Sequence, residues 1–207
     1  MQGAYAGAGG IRAGAWARIT GWQQEVIPSR RSVQTMGILS GNPKHEPMHY
    51  GEIHQVWQFS MAAKGCISAT ELYRNHAGDR TLKTILGDIL DQARLESKEC
   101  DELLMHNGIM PAPALPARPE VELESIPAGA RFGDPEIAAM IAADQSMGLV
   151  ACSQVMGMSI REDIGALFAK YHATKAAIST RILRMNKEKG WLIPPPLQVK
   201  SEDLVKV

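Results

Sequence analysis

Glu96 and Glu99 stand three positions apart in a run with helical spacing, and residues three apart lie on one side of a helix. Glu71, Asp144 and His172 fall on other stretches with the same periodicity. Carboxylates and an imidazole carried by separate helices are the raw material of a di-metal centre. Such a centre needs a carboxylate from each of two helices and a Glu-x-x-His pair from each of the other two. Here Glu99 occupies the place a histidine would take after Glu96, and Ala169 stands three residues before His172. Lys64 and Lys175 also lie on inward-facing stripes, where an ammonium repels a metal ion. No metal, cofactor or catalytic residue is therefore expected. The alternative is an iron, manganese or zinc site drawn from Glu71, Glu96, Glu99, Asp144 and His172.

Charges on core faces need partners, because an unpaired buried charge is costly. Lys64, Glu71, Glu96, Asp144 and Lys175 are read as a buried polar network, with Lys64 pairing to Asp144 between the first and third helices. A pocket for a small ligand or a single metal ion is the sharper alternative. His45, His49, Glu52 and His54 read as a solvated helix start, and His76 and His106 as helix-end residues favoured by the dipole. Trp57, Met140, Met185 and Trp191 read as core. Cys66, Cys100 and Cys152 fall on three different helices and read as reduced, largely buried thiols of a cytoplasmic protein. The chain has no P-loop, Rossmann glycine pattern or Cys-x-x-Cys.

The elements that would carry these residues follow from hydrophobic spacing. Helices are predicted over about 49–75, 80–106, 134–158 and 161–189, with Gly78 as a C-cap and Asp79 and Asp134 as N-caps. Leu82, Ile85, Leu86, Ile89, Cys100 and Leu103 form an apolar stripe. Displaced by 82 positions (Leu82 to Ile164), it becomes Ile164, Leu167, Phe168, Tyr171, Ile182 and Met185. Both copies stop at a glycine followed by apolar residues and prolines, Gly108 and Gly190. We read this as a duplicated helical hairpin. Small residues in the first and third helices (Ala62, Ala63, Gly65; Ala142, Ala143, Gly148) suggest close approach of that pair. Residues 107–133 are proline-rich and, fully extended, would reach roughly 90 Å. A helix of similar length spans only about 40 Å. The fold expected is all-α: a ferritin-like four-helix bundle of two hairpins joined by a long proline-rich crossover.

Residues 1–48 are expected to be a disordered or loosely packed extension, with 1–35 read as a mis-assigned start before Met36. The bundle would occupy 49–196 and a polar tail 197–207. Twenty-two basic residues balance twenty-two acidic ones, which removes the electrostatic footprint of a nucleic-acid binder. No apolar run is long enough for a membrane span, and no secretory signal is evident.

Four segments carry a family likeness: EIHQVW early in the first helix, DPEI at the third, SIREDIGALF at the fourth, and the ending KGWLIPPP. In these the chain resembles an uncharacterised family of spore-forming Bacillota, described as ferritin-like and related to spore coat protein F. The likeness covers about residues 45–200. It implies a non-catalytic structural or interaction protein, located in the cytoplasm, forespore or spore coat. Its partners would be spore coat proteins or further copies of itself. The alternative is a metal- or small-ligand-binding bundle using interior carboxylates.

Overall fold

The computed structural model describes residues 46–196 and 198. The readings made for residues 1–45, and for most of the C-terminal tail, fall outside those residues. Four long helices account for most of the described chain: α1 (Tyr50–His76), α2 (Arg80–His106), α3 (Asp134–Met158) and α4 (Glu162–Lys189). Two single 3-10 turns, Leu123–Ser125 and Ala128–Ala130, lie between α2 and α3, and the described residues include no strand.

Each helix begins and ends for a local reason. His49 caps α1 with its side chain accepting from Gly51 N, while Glu52 accepts from His49 N at 3.1 Å. Asp79 caps α2, accepting from the amides of Thr81 (2.8 Å) and Leu82 (3.0 Å). Gly108 and Gly190 adopt φ of 75° and 70°, the left-handed stop that glycine takes without steric penalty. Gly78 does not cap α1 in that way. The helix ends at Ala77 in extended backbone, and Gly78 instead donates to the Asp134 carboxylate at 2.8 Å. Asp134 likewise departs from its expected role. Gly133 precedes α3 as its cap, and the Asp134 side chain reaches across to the amides of Gly78 and Asp79.

The two hairpins, α1 with α2 and α3 with α4, pack together through α2 against α4 and α1 against α3. His49 at the start of α1 lies 3.3 Å from the carbonyl of Met158 at the end of α3, so these two helices run antiparallel. Between α2 and α3 the chain follows α1 along its length. Met110 accepts from Trp57, Arg118 donates to Ser68, Pro119 accepts from Asn75, and Phe132 donates to His76.

The core is divided in two. One apolar cluster (Leu82, Ile85, Leu86, Ile89, Ile137, Ile141, Ile182, Met185) fills the end near the Gly78 turn. The other, built on Val56, Phe59, Cys100, Leu104, Cys152, Ile164, Phe168 and Tyr171, fills the opposite end. Between them every helix contributes buried polar side chains, among them Lys64, Glu96, Gln145 and Lys175. Met140, expected in the core, is exposed, and Trp57 and Trp191 are only half-buried. Gly65 and Gly148 do not mark a close approach of α1 and α3. A Cβ on Gly65 would meet nothing within 4 Å, whereas one on Gly148 would meet Lys175 Cδ at 3.0 Å. Gly148 makes room for a lysine.

Candidate functional site: a polar layer across the bundle

Glu96 and Lys175 are both more than nine-tenths buried, and their charged groups meet at 2.9 Å. Gln92, one turn earlier on α2, donates to the other Glu96 oxygen at 3.0 Å. The Lys175 ammonium also lies 5.7 Å from the centre of the Phe59 ring, within cation–π range. Phe59 belongs to an aromatic group with Phe168 and Tyr171, which seals one side of the layer.

Lys64, the second buried ammonium, pairs with Asp101 at 2.7 Å and donates to the carbonyl of Ala112. Ser60 donates to the same carboxylate. The expected Lys64–Asp144 pair is therefore replaced: Asp101 is the partner, and Asp144 is exposed. Both differences are one-residue phase errors. Asp101 follows the stripe residue Cys100, and the buried Gln145 follows Asp144.

Glu99 sits apart from this pair. It accepts from the Tyr171 hydroxyl at 2.8 Å and from Lys170 at 3.0 Å. Burial pushes its carboxyl up, but the Tyr171 hydroxyl and the Lys170 ammonium outweigh that and hold it below its ordinary value. Glu71 accepts from Arg94 and from the backbone amide of Arg118, both at 3.1 Å. His172 is half-buried, one position past Tyr171. The structure thus joins Glu96 to Lys175, sets the exposed Asp144 on the rim of the same cleft, and leaves Glu71, Glu99 and His172 in separate surroundings. Among the described residues no three His, Cys, Asp or Glu side chains converge as a set that could hold a metal ion.

A cleft of about 180 Å³ opens beside the layer, lined in part by Phe59, Cys66, Glu96, Asp144, Gln145 and Lys175. The Gln145 side-chain oxygen is buried without a hydrogen-bond partner. The three thiols suit packing rather than chemistry. Burial pushes Cys66 up to about 11 and Cys152 up to about 12, and raises Cys100 as well, so the nucleophilic thiolate is scarce near neutrality.

The spacing of residues along the chain concealed a second polar cluster at the start of α1. Glu52 is fully buried rather than solvated, and beyond its cap bond it accepts from the amides of Ile160 (2.9 Å) and Arg161 (3.0 Å). Arg161, also buried, donates to Asp163 through two nitrogens and to Asn107 at 3.2 Å. The cluster ties the start of α1 to the turns at the end of α2 and between α3 and α4. Its one sequence signal was Glu52 three residues after His49, the spacing of a capping box.

Comparison with known proteins agrees with this helical architecture. Over 166 residues the chain is 47% identical to "Uncharacterized protein YvdQ" of Bacillus subtilis (strain 168), covering 80% of this chain and 98% of that protein. A crystal structure from Bacillus halodurans C-125, of a "putative spore coat protein" (BH2358), is 43% identical. It superposes with a TM-score of 0.75, covering 77% of this chain and 100% of that one. Residues 36–204 match the family described as protein of unknown function DUF3231, and the chain belongs to that family.

Proposed function

We propose that this protein is a non-catalytic structural or interaction protein of the spore, built on a ferritin-like bundle. The observation that carries this reading is the polar layer. Where a di-metal bundle would gather unpaired carboxylates, this bundle holds two lysine ammoniums, each bonded to a carboxylate: Lys175 to Glu96 and Lys64 to Asp101. Those carboxylates already have their cation. The path of residues 107–133 along α1 supports reading the connection as a long crossover, and hence the ferritin-like connectivity. The matching stripes of α2 and α4 support descent from a duplicated hairpin. A role in the spore coat is supported by the likeness to the Bacillus halodurans protein.

The cleft beside Gln145 favours a second reading, a small-ligand-binding bundle, because a buried carbonyl oxygen lacks a donor there. Two measurements test the proposal. Elemental mass spectrometry of the untagged full chain, produced with added iron, manganese and zinc, is expected to find less than stoichiometric metal. A fluorescent fusion in sporulating Bacillus subtilis is expected to collect at the forespore or on the coat. Stoichiometric metal that disappears in Glu96→Gln, or a fusion that stays diffuse through sporulation, would overturn it.

A further inference from the structure

The outward face of α3 differs from that of the other helices. Residues 145–160 hold no charged side chain, and the exposed positions there include Met147 (71% accessible), Val150 (68%) and Met158. A helix that is apolar all round is normally covered on every side. The inner face of α3 is covered by its own bundle, through Ile137, Ile141, Cys152 and Val155. The outer face carries a second seam: Met140, Ala143, Met147, Val150, Gln154 and Gly157, all exposed. Their spacing alternates three and four, the heptad seam of a coiled coil.

We infer that this seam pairs with the same seam of a second copy of the chain, α3 antiparallel to α3 about a two-fold axis. The order of side-chain sizes selects both the occupant and the direction. Large residues (Met140, Met147, Gln154) alternate with small ones (Ala143, Val150, Gly157). Antiparallel pairing centred between positions 148 and 149 sets Met147 against Val150 of the second copy. It likewise sets Met140 against Gly157, and Gln154 against Ala143. Every layer joins a large residue to a small one, and the same contacts recur on the other side of the axis, as an isologous interface requires. Parallel pairing would stack large on large and leave gaps between small residues.

The size is adequate. In this register α3 overlaps its copy over residues 139–158, roughly 30 Å of helix. With the adjoining rim of α1, including Met61, the face is about 20 Å wide, two helices of about 10 Å each. That is about 600 Å² from each partner, the lower end of the range of specific interfaces. The apolar groove of about 520 Å³ between α1 and α3, lined by Met61, Ala62, Ala151 and Met158 among others, continues the seam.

This pairing names a partner for the interaction role proposed above and rests on that reading, yet the two fail separately. Light scattering coupled to size exclusion on the full chain should give twice the mass of one chain. Met147→Glu and Val150→Lys should each run as a single chain, with association weakened about a hundredfold or more. Their helical circular dichroism should be unchanged, since both positions are exposed. Mixing the two variants should restore the double mass, because Glu at 147 then faces Lys at 150 across the axis. A wild-type protein of single-chain mass, a dimer indifferent to both substitutions, or a mixture that stays monomeric would each overturn the pairing. None of these outcomes bears on metal content or spore location, on which the functional proposal stands.

Discussion

Glu52 shows how one side chain can hold three elements. Its carboxylate is fully buried and accepts from His49 N, Ile160 N and Arg161 N, so it closes the α1 cap and ties the α3–α4 turn to it. Removing it strands backbone donors away from water, and stranding is the expensive half of hydrogen-bond energetics. Glu52→Ala should therefore lower stability by about 3 kcal/mol, with Glu52→Gln losing less. Urea denaturation followed by circular dichroism measures both. The residue was legible only in part. Its spacing from His49 is that of a capping box, yet the chain pattern read it as part of a solvated helix start; its long-range partners lie more than a hundred positions away, and no local pattern encodes them.

At the scale of the helices, the polar layer determines how α2 and α4 pair. Two apolar clusters flank Lys175–Glu96, and a register shift of either helix would bury one charge against hydrocarbon. Breaking a buried pair from one side leaves an uncompensated charge, whereas replacing both partners by apolar residues often leaves stability unchanged or raises it. Lys175→Met should cost about 3–5 kcal/mol. The double variant Lys175→Met with Glu96→Leu should recover most of that loss in a double-mutant cycle. If the single and double variants lose the same amount, the pair has no part in the register. Helix phase explains what was readable here. Lys64, Glu96 and Lys175 lie on strongly patterned faces, so the stripes placed them inside. Asp144 and Asp101 lie beside such faces, and a shift of one residue, 100° around the helix, exchanged them.

For the whole molecule, acid is the informative perturbation. Glu99 and Asp163 are held below their ordinary values, Asp163 chiefly by its hydrogen bonds from Arg161. A carboxylate with a lowered folded value is protonated more readily in the unfolded chain. Its stabilisation is therefore complete above the unfolded value and is lost as pH falls through the folded one. Melting temperature should hold near neutrality and decline through the acidic carboxylate range. Tyr171→Phe, which removes a hydroxyl donor from Glu99, raises the folded value toward the unfolded one, so it should lower stability near neutrality and make the acid decline shallower; an unchanged profile would sever Glu99 from acid stability. The four helices were legible along the chain, because apolar spacing, an aspartate cap and two stop glycines act within one or two turns. The same spacing also placed lysines inside the core, since a stripe contains whatever residues its period selects. Which carboxylate meets which lysine, the burial of Glu52, and the exposure of the outer seam of α3 in the single chain emerge only from packing. Those outcomes depend on helix rotation and on contacts between distant segments, and the energies involved exist only after the helices have packed.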